Sequence, residues 1–107
     1  MRKRIVIAEA FSNSPAGRVT TDGPYSGERF REEVLLPALR EASGPIEVDL
    51  NGVLGFGSSF LEEAFGGLVR KGYYSAKDLE KRLKIASEIK TYERRIWAYI
   101  AAARREG

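Results

Sequence analysis

The sequence predicts a small α/β domain built on a mixed sheet of about four short strands, at least some of them parallel. Three observations predict it. Ile46, Val48 and Leu50 alternate with Glu47 and Asp49, which is the period of a strand. After a loop broken by Gly52, Gly55 and Gly57, the residues Phe60, Leu61, Ala64, Phe65, Leu68 and Val69 recur at helical spacing. Along the chain the order reads strand, helix, strand, helix, short helix, strand, helix, and strands separated by helices call for parallel pairs. Periodicity alone leaves open whether the helices cover one face of the sheet or both.

Each element has its own signature. Ile5-Val6-Ile7-Ala8 is a nearly continuous apolar run, which suits a strand covered on both faces; one turn of buried helix is the alternative. Residues 12–27 hold Pro15, Pro24 and three glycines and read as a loop, in which Arg18-Val19-Thr20-Thr21 has the length to pair briefly with the first strand. Ser26 is placed to cap a helix from Gly27 to about Ala42, with Phe30, Val34, Leu35, Ala38, Leu39 and Ala42 inside and Glu28, Arg29, Arg31, Glu32 and Arg40 outside. Pro37 predicts a kink, because it lacks a backbone donor and crowds the carbonyl of Glu33. Ser43-Gly44-Pro45 leads into the strand from Ile46. Gly66-Gly67 weakens the central helix and lets it approach the sheet, and Lys71-Gly72 closes it. Ser75-Ala76-Lys77-Asp78 has the form of a capping box and opens a short helix to about Arg82. Leu83 to Ser87 alternates as a further strand. A last helix, about Glu88 to Arg105, carries the stripe Ile89, Tyr92, Ile96, Tyr99, Ile100 and Ala103, bordered by Trp97.

Composition narrows the function. The 107 residues suit one domain, residues 1–107, with one modest core. Hydrophobic residues make up 43% and charged residues 31%, ordinary for a water-soluble globular chain. No apolar run approaches the roughly 20 residues of a membrane helix. The absence of cysteine fits a cytoplasmic location and excludes disulfide and thiolate chemistry. The absence of histidine removes the commonest general base and metal ligand. No metal, no cofactor and no catalytic constellation is expected. Glu62 and Glu63 are adjacent, so on a helix they project about 100° apart and make a poor acid–base pair.

The stretch Val48-Asp49-Leu50, Gly57-Ser58-Ser59-Phe60-Leu61-Glu62-Glu63-Ala64-Phe65 resembles the core motif of the STAS domain of sulfate transporters and anti-sigma factor antagonists. With Phe11-Ser12, Pro15-Ala16-Gly17-Arg18, Asp22-Gly23-Pro24-Tyr25-Ser26-Gly27-Glu28 and Phe30-Arg31, it is more similar still to a bacterial STAS-like family of unknown function. The resemblance implies helices mainly on one face of the sheet and a non-catalytic regulatory role. It implies a protein partner, either a kinase of the GHKL ATPase class or another signalling protein. It also implies that Ser59, with Ser58 beside it, is a phosphoacceptor. Gly57 and Phe60 depart from the phosphorylated pattern, which has Asp and Gly at those positions.

Two readings therefore meet at Ser59. One is the switch: a phosphoserine adds about −1.5 to −2 charges and is tolerated at a helix N-terminus. The other is a capping box, Ser59-Phe60-Leu61-Glu62, with Ser59 as N-cap and Glu62 reaching back. The candidate surface for a partner or an anion takes in Gly57, Ser58, Ser59, Phe60, Glu62 and Glu63, with Arg18, Asp22 and Ser26 from the polar loop. Arg18 either faces an anion at the serines or pairs with Asp22 or backbone to hold its loop.

The net charge of +3 suggests an alternative, a nucleic-acid-associated accessory protein. Residues 1–83 are balanced, and the excess lies in Lys84, Lys90, Arg94, Arg95, Arg104 and Arg105. Cations late in a helix also complement its dipole, so direct nucleic-acid binding is the weaker expectation. An unpaired edge strand would allow a homodimer.

Overall fold

The computed structural model describes residues 3–106. Three four-residue strands form the sheet: β1 (Lys3–Val6), β2 (Ile46–Asp49) and β3 (Leu83–Ala86). They lie in the order β1-β2-β3, and both pairs are parallel. The expected mixed sheet of about four strands is thus corrected to three parallel strands among the described residues. The fourth candidate, Arg18 to Thr21, runs into a 3₁₀ turn at Thr20–Asp22 instead. The Asp22 carboxylate accepts the N–H groups of Arg18 and Val19, both at 3.0 Å, and so takes up donors a sheet would have used.

β1 is also shorter than its apolar run. After Val6 the chain enters one helical turn, α1 (Ile7–Ala10), and the carbonyl of the fully buried Ile7 accepts from both Phe11 and Ser12 at 2.9 Å.

Two crossovers join the strands. The first, α2, runs over residues 27–41 as Gly27–Phe30, a π turn at Arg31–Leu35, and Leu36–Glu41. The second begins with α3, over residues 58–70, built as Ser58–Leu61, a π turn at Glu62–Gly66, and Gly67–Arg70. It continues through α4 (Ala76–Arg82), opened by the expected Ser75–Asp78 capping box. The chain ends on α5 (Lys90–Ala102). Parallel connections are almost always right-handed, and two of them in the same direction put their helices on one side. Burial alternates accordingly. Ile5, Ile46, Val48 and Leu83 are buried, whereas Arg4, Glu47 and Lys84 occupy matching register positions on the other face.

Pro37 acts upstream of itself. The Leu36 N–H bonds the carbonyl of Arg31, five residues back, so the helix widens just before the proline. α5 is shorter than its periodic pattern, and Ile89, expected in the buried stripe, is 55% exposed. Ile96 and Ile100 are the members of that stripe that are fully inside. Among the described residues no helix is long and apolar enough to cross a membrane.

Candidate functional site

The site grows from the end of β2. Asp49 Oδ1 accepts the N–H of Asn51 at 2.8 Å, which turns the chain out of the sheet. Gly52 then takes φ +89, a conformation open to glycine. Both flanks of the loop are tied down. Asn51 Oδ1 accepts from the Glu88 N–H at 2.9 Å, and Leu54 donates to the Asn13 carbonyl at 3.0 Å. Held in this way, the loop presents Leu54 to solvent at 87% exposure, alongside exposed Gly55, Gly57 and Ser58. Ser59 is half-buried.

Several of the candidate residues do not form the surface expected of them, although Ser26 keeps its expected cap. The helix N-cap is Gly57, not Ser59, and no side chain caps it. The Ser59–Glu62 capping box is therefore absent, because Glu62 is drawn away to two arginines. Phe60 does not face a partner. It is fully buried, with ring centroids 5.8 Å from Phe56 and 6.0 Å from Phe30. Ser26 is likewise fully buried, and its hydroxyl accepts the Arg29 N–H at 3.2 Å as the cap of α2. Asp22 spends its carboxylate on its own loop, and those two N–H groups hold its pKa below the usual value.

One turn along α3 lies a cluster of charges. Glu62 pairs with Arg18, and with Arg70 at 2.5 Å. Glu63 is only 7% exposed and pairs with Arg31 at 2.6 Å, and with Arg18 and Arg70 at 3.1 Å each. Arg31, expected on the outside of its helix, is 1% exposed. It also donates to the Glu63 carbonyl at 2.7 Å and to Glu32 at 2.8 Å. Burial works against ionisation of Glu62 and Glu63, but the guanidiniums outweigh it and hold both carboxyls below the ordinary glutamate value. Arg18 is joined to Asp22 through its backbone N–H, at 3.0 Å, which holds the loop, while its guanidinium bridges the two glutamates.

Gly66 and Gly67 make room for this cluster, not for the sheet. A side chain on Gly67 would run into the Arg31 guanidinium, and one on Gly66 would come within 2.8 Å of Glu62 Oε2. The sequence signal for a buried arginine is this glycine pair opposite a run of charge. Leu54, also unflagged, is marked by being the one large apolar side chain immediately before Gly55 in that glycine-broken loop, next to the smaller Val53. Among the described residues no group of His, Cys, Asp and Glu could hold a metal.

Residues 26–93, more than half of the chain, match a STAS-like domain of unknown function. The chain belongs to that family. The match begins at the α2 cap and ends in the first turn of α5, so the STAS-like region contains the Gly57-Ser58-Ser59 turn, Arg31, Glu62, Glu63 and Arg70. Arg18 and Asp22, which the resemblance includes, lie outside it. No curated protein and no solved structure matches the chain.

Proposed function

We propose that this STAS-like domain is a cytoplasmic regulatory module without catalysis of its own, which binds a protein partner through the tip formed by the Gly57-Ser58-Ser59 turn and Leu54. One observation carries the reading: a large apolar side chain stands 87% exposed on a loop anchored on both sides. A fixed apolar projection is what an interface pocket takes up. The partner is a GHKL-type kinase or another signalling protein.

The same tip suits a phosphate switch. Ser58 and Ser59 open α3, where free N–H groups and the helix dipole favour an anion. Glu62 and Glu63, three and four residues beyond Ser59, would repel it on an isolated helix. Here each is engaged by at least two guanidiniums, so that repulsion is reduced. A phosphoserine beside Leu54 would set charge and bulk against any partner seated on the uncharged tip.

The test uses the full chain, ATP and candidate kinases of the GHKL class, with phosphate mapped by mass spectrometry. Phosphate on Ser58 or Ser59 that weakens the complex is expected. A stable complex that survives Leu54→Asp, with both serines unmodified, removes the reading. The nucleic-acid alternative gains no specific support. Arg94 and Arg95 are both exposed on α5, but consecutive residues point about 100° apart and make no single stripe.

A further inference from the structure

β2 gives way to an exposed turn at Asn51-Gly52. Asn51 and Asn13 are the two asparagines, and the chain has no glutamine, so these are its only side-chain amides. The backbone nitrogen of the residue after an asparagine can attack the side-chain amide and close a five-membered imide. Two conditions favour that attack: no side chain on the following residue, and a backbone N–H not held elsewhere. Asn51 meets both. Gly52 is exposed, at φ +89, and its N–H makes no hydrogen bond among the described residues. Asn51 Oδ1 accepts the Glu88 N–H at 2.9 Å, so a donor already faces the oxygen on which negative charge develops. Asn13 is also exposed but meets neither condition. Its successor Ser14 carries a side chain, and the Ser14 N–H is spent on Ser12 Oγ at 3.0 Å.

We propose that Asn51 is a modification site, converted without an enzyme to aspartate and isoaspartate in the folded protein. The Gly52 nitrogen gives its proton to water and bonds to Asn51 Cγ. The Cγ–Nδ2 bond breaks, and ammonia leaves with a proton taken back from water. A second water then opens the imide. Cleavage at Cγ yields aspartate, and cleavage at the main-chain carbonyl yields isoaspartate. Nothing is oxidised or reduced. Isoaspartate routes the backbone through Cβ and Cγ, which adds one methylene between β2 and Leu54. The oxygen that held the Glu88 N–H becomes part of the new peptide link, so the tie to residues 87–89 is lost. Either product adds a carboxylate to a turn that already carries Asp49 and Glu88. The proposal stands whether or not Leu54 seats a partner.

The test incubates the intact chain at mildly alkaline pH and follows it by peptide mapping. Asn51 should convert well ahead of Asn13, with isoaspartate, labelled by an isoaspartyl methyltransferase, as the larger product. Asn51→Gln exchanges an exposed side chain for one whose ring closure is far slower. Folded by circular dichroism, that variant should stay unmodified over the same period. The isoaspartate form, separated by chromatography, should lose protection of the Glu88 amide from hydrogen exchange while the α3 amides keep theirs. Conversion of Asn51 in urea but not in the native chain would overturn the proposal, because the turn would then be a shield. So would conversion of Asn13 first, or a Glu88 amide that exchanges alike in both forms.

Discussion

Arg31 holds a full charge at 1% exposure, against the Glu63 carboxylate, the Glu63 carbonyl and the Glu32 carboxylate. Removing one member of such a buried set leaves the others uncompensated. Arg31→Met should therefore lower unfolding stability by about 3 kcal/mol, read from urea denaturation. Leu54 is the opposite case. It touches solvent almost everywhere, so Leu54→Asp should shift stability by less than about 0.5 kcal/mol while disrupting the proposed partner complex. Single residues are legible in the sequence only in part, for a physical reason. Ser26 and Ser75 are identified as caps by the residues immediately after them, and both caps are present. Arg31 is buried by residues more than thirty positions away, and Glu62 is taken from its cap by Arg18 and Arg70. Long-range pairing of this kind leaves little local trace.

At the level of elements, α2 and α3 meet at Gly27. A Cβ there would lie 2.5 Å from the Phe60 carbonyl oxygen and 3.2 Å from the Ala64 nitrogen. In an isolated helix alanine is better than glycine by about 1 kcal/mol. Gly27→Ala should nevertheless destabilise by about 1–3 kcal/mol, because backbone atoms cannot step aside, and thermal melting would show the reversal. Helices and strands are legible because each depends on its own period. The π turns are not. Leu36, assigned to neither face by 3.6-residue spacing, is buried once the ladder widens over Arg31–Leu35. The short reach of β1 is also hidden, since Ile7 reads equally as strand or as buried turn and only its carbonyl contacts decide.

Across the molecule, acid stability collects in Asp49, Glu62 and Glu63. All three sit below their ordinary values despite burial: Asp49 through Arg4 and the Asn51 N–H, the glutamates through Arg18, Arg31 and Arg70. Carboxyls lowered in the folded state contribute in full above roughly pH 5, where both states are ionised. That contribution is lost as pH falls through the depressed folded values. The urea midpoint should accordingly be flat from neutrality to about pH 5 and fall below it, and Glu63→Gln should blunt the fall. Once the order β1-β2-β3 is known, right-handed connections fix the covered face, but periodicity does not supply that order; the one-sided arrangement is expected from the STAS-like resemblance alone, and the strand count rests on a loop that folds around Asp22. The paired π turns carry a last implication. Each widened turn accommodates one residue more than a regular spiral would. Deleting a single position from 31–35 or from 62–66 would close the widened turn to a regular one and leave the downstream residues facing as they do, whereas a deletion in the regular part of either helix would swing them by about 100°. Loss of one residue should thus be tolerated better at those two places than elsewhere in either helix, whereas the segment between Ser12 and Tyr25 has to keep Arg18 within reach of Glu62 and Glu63.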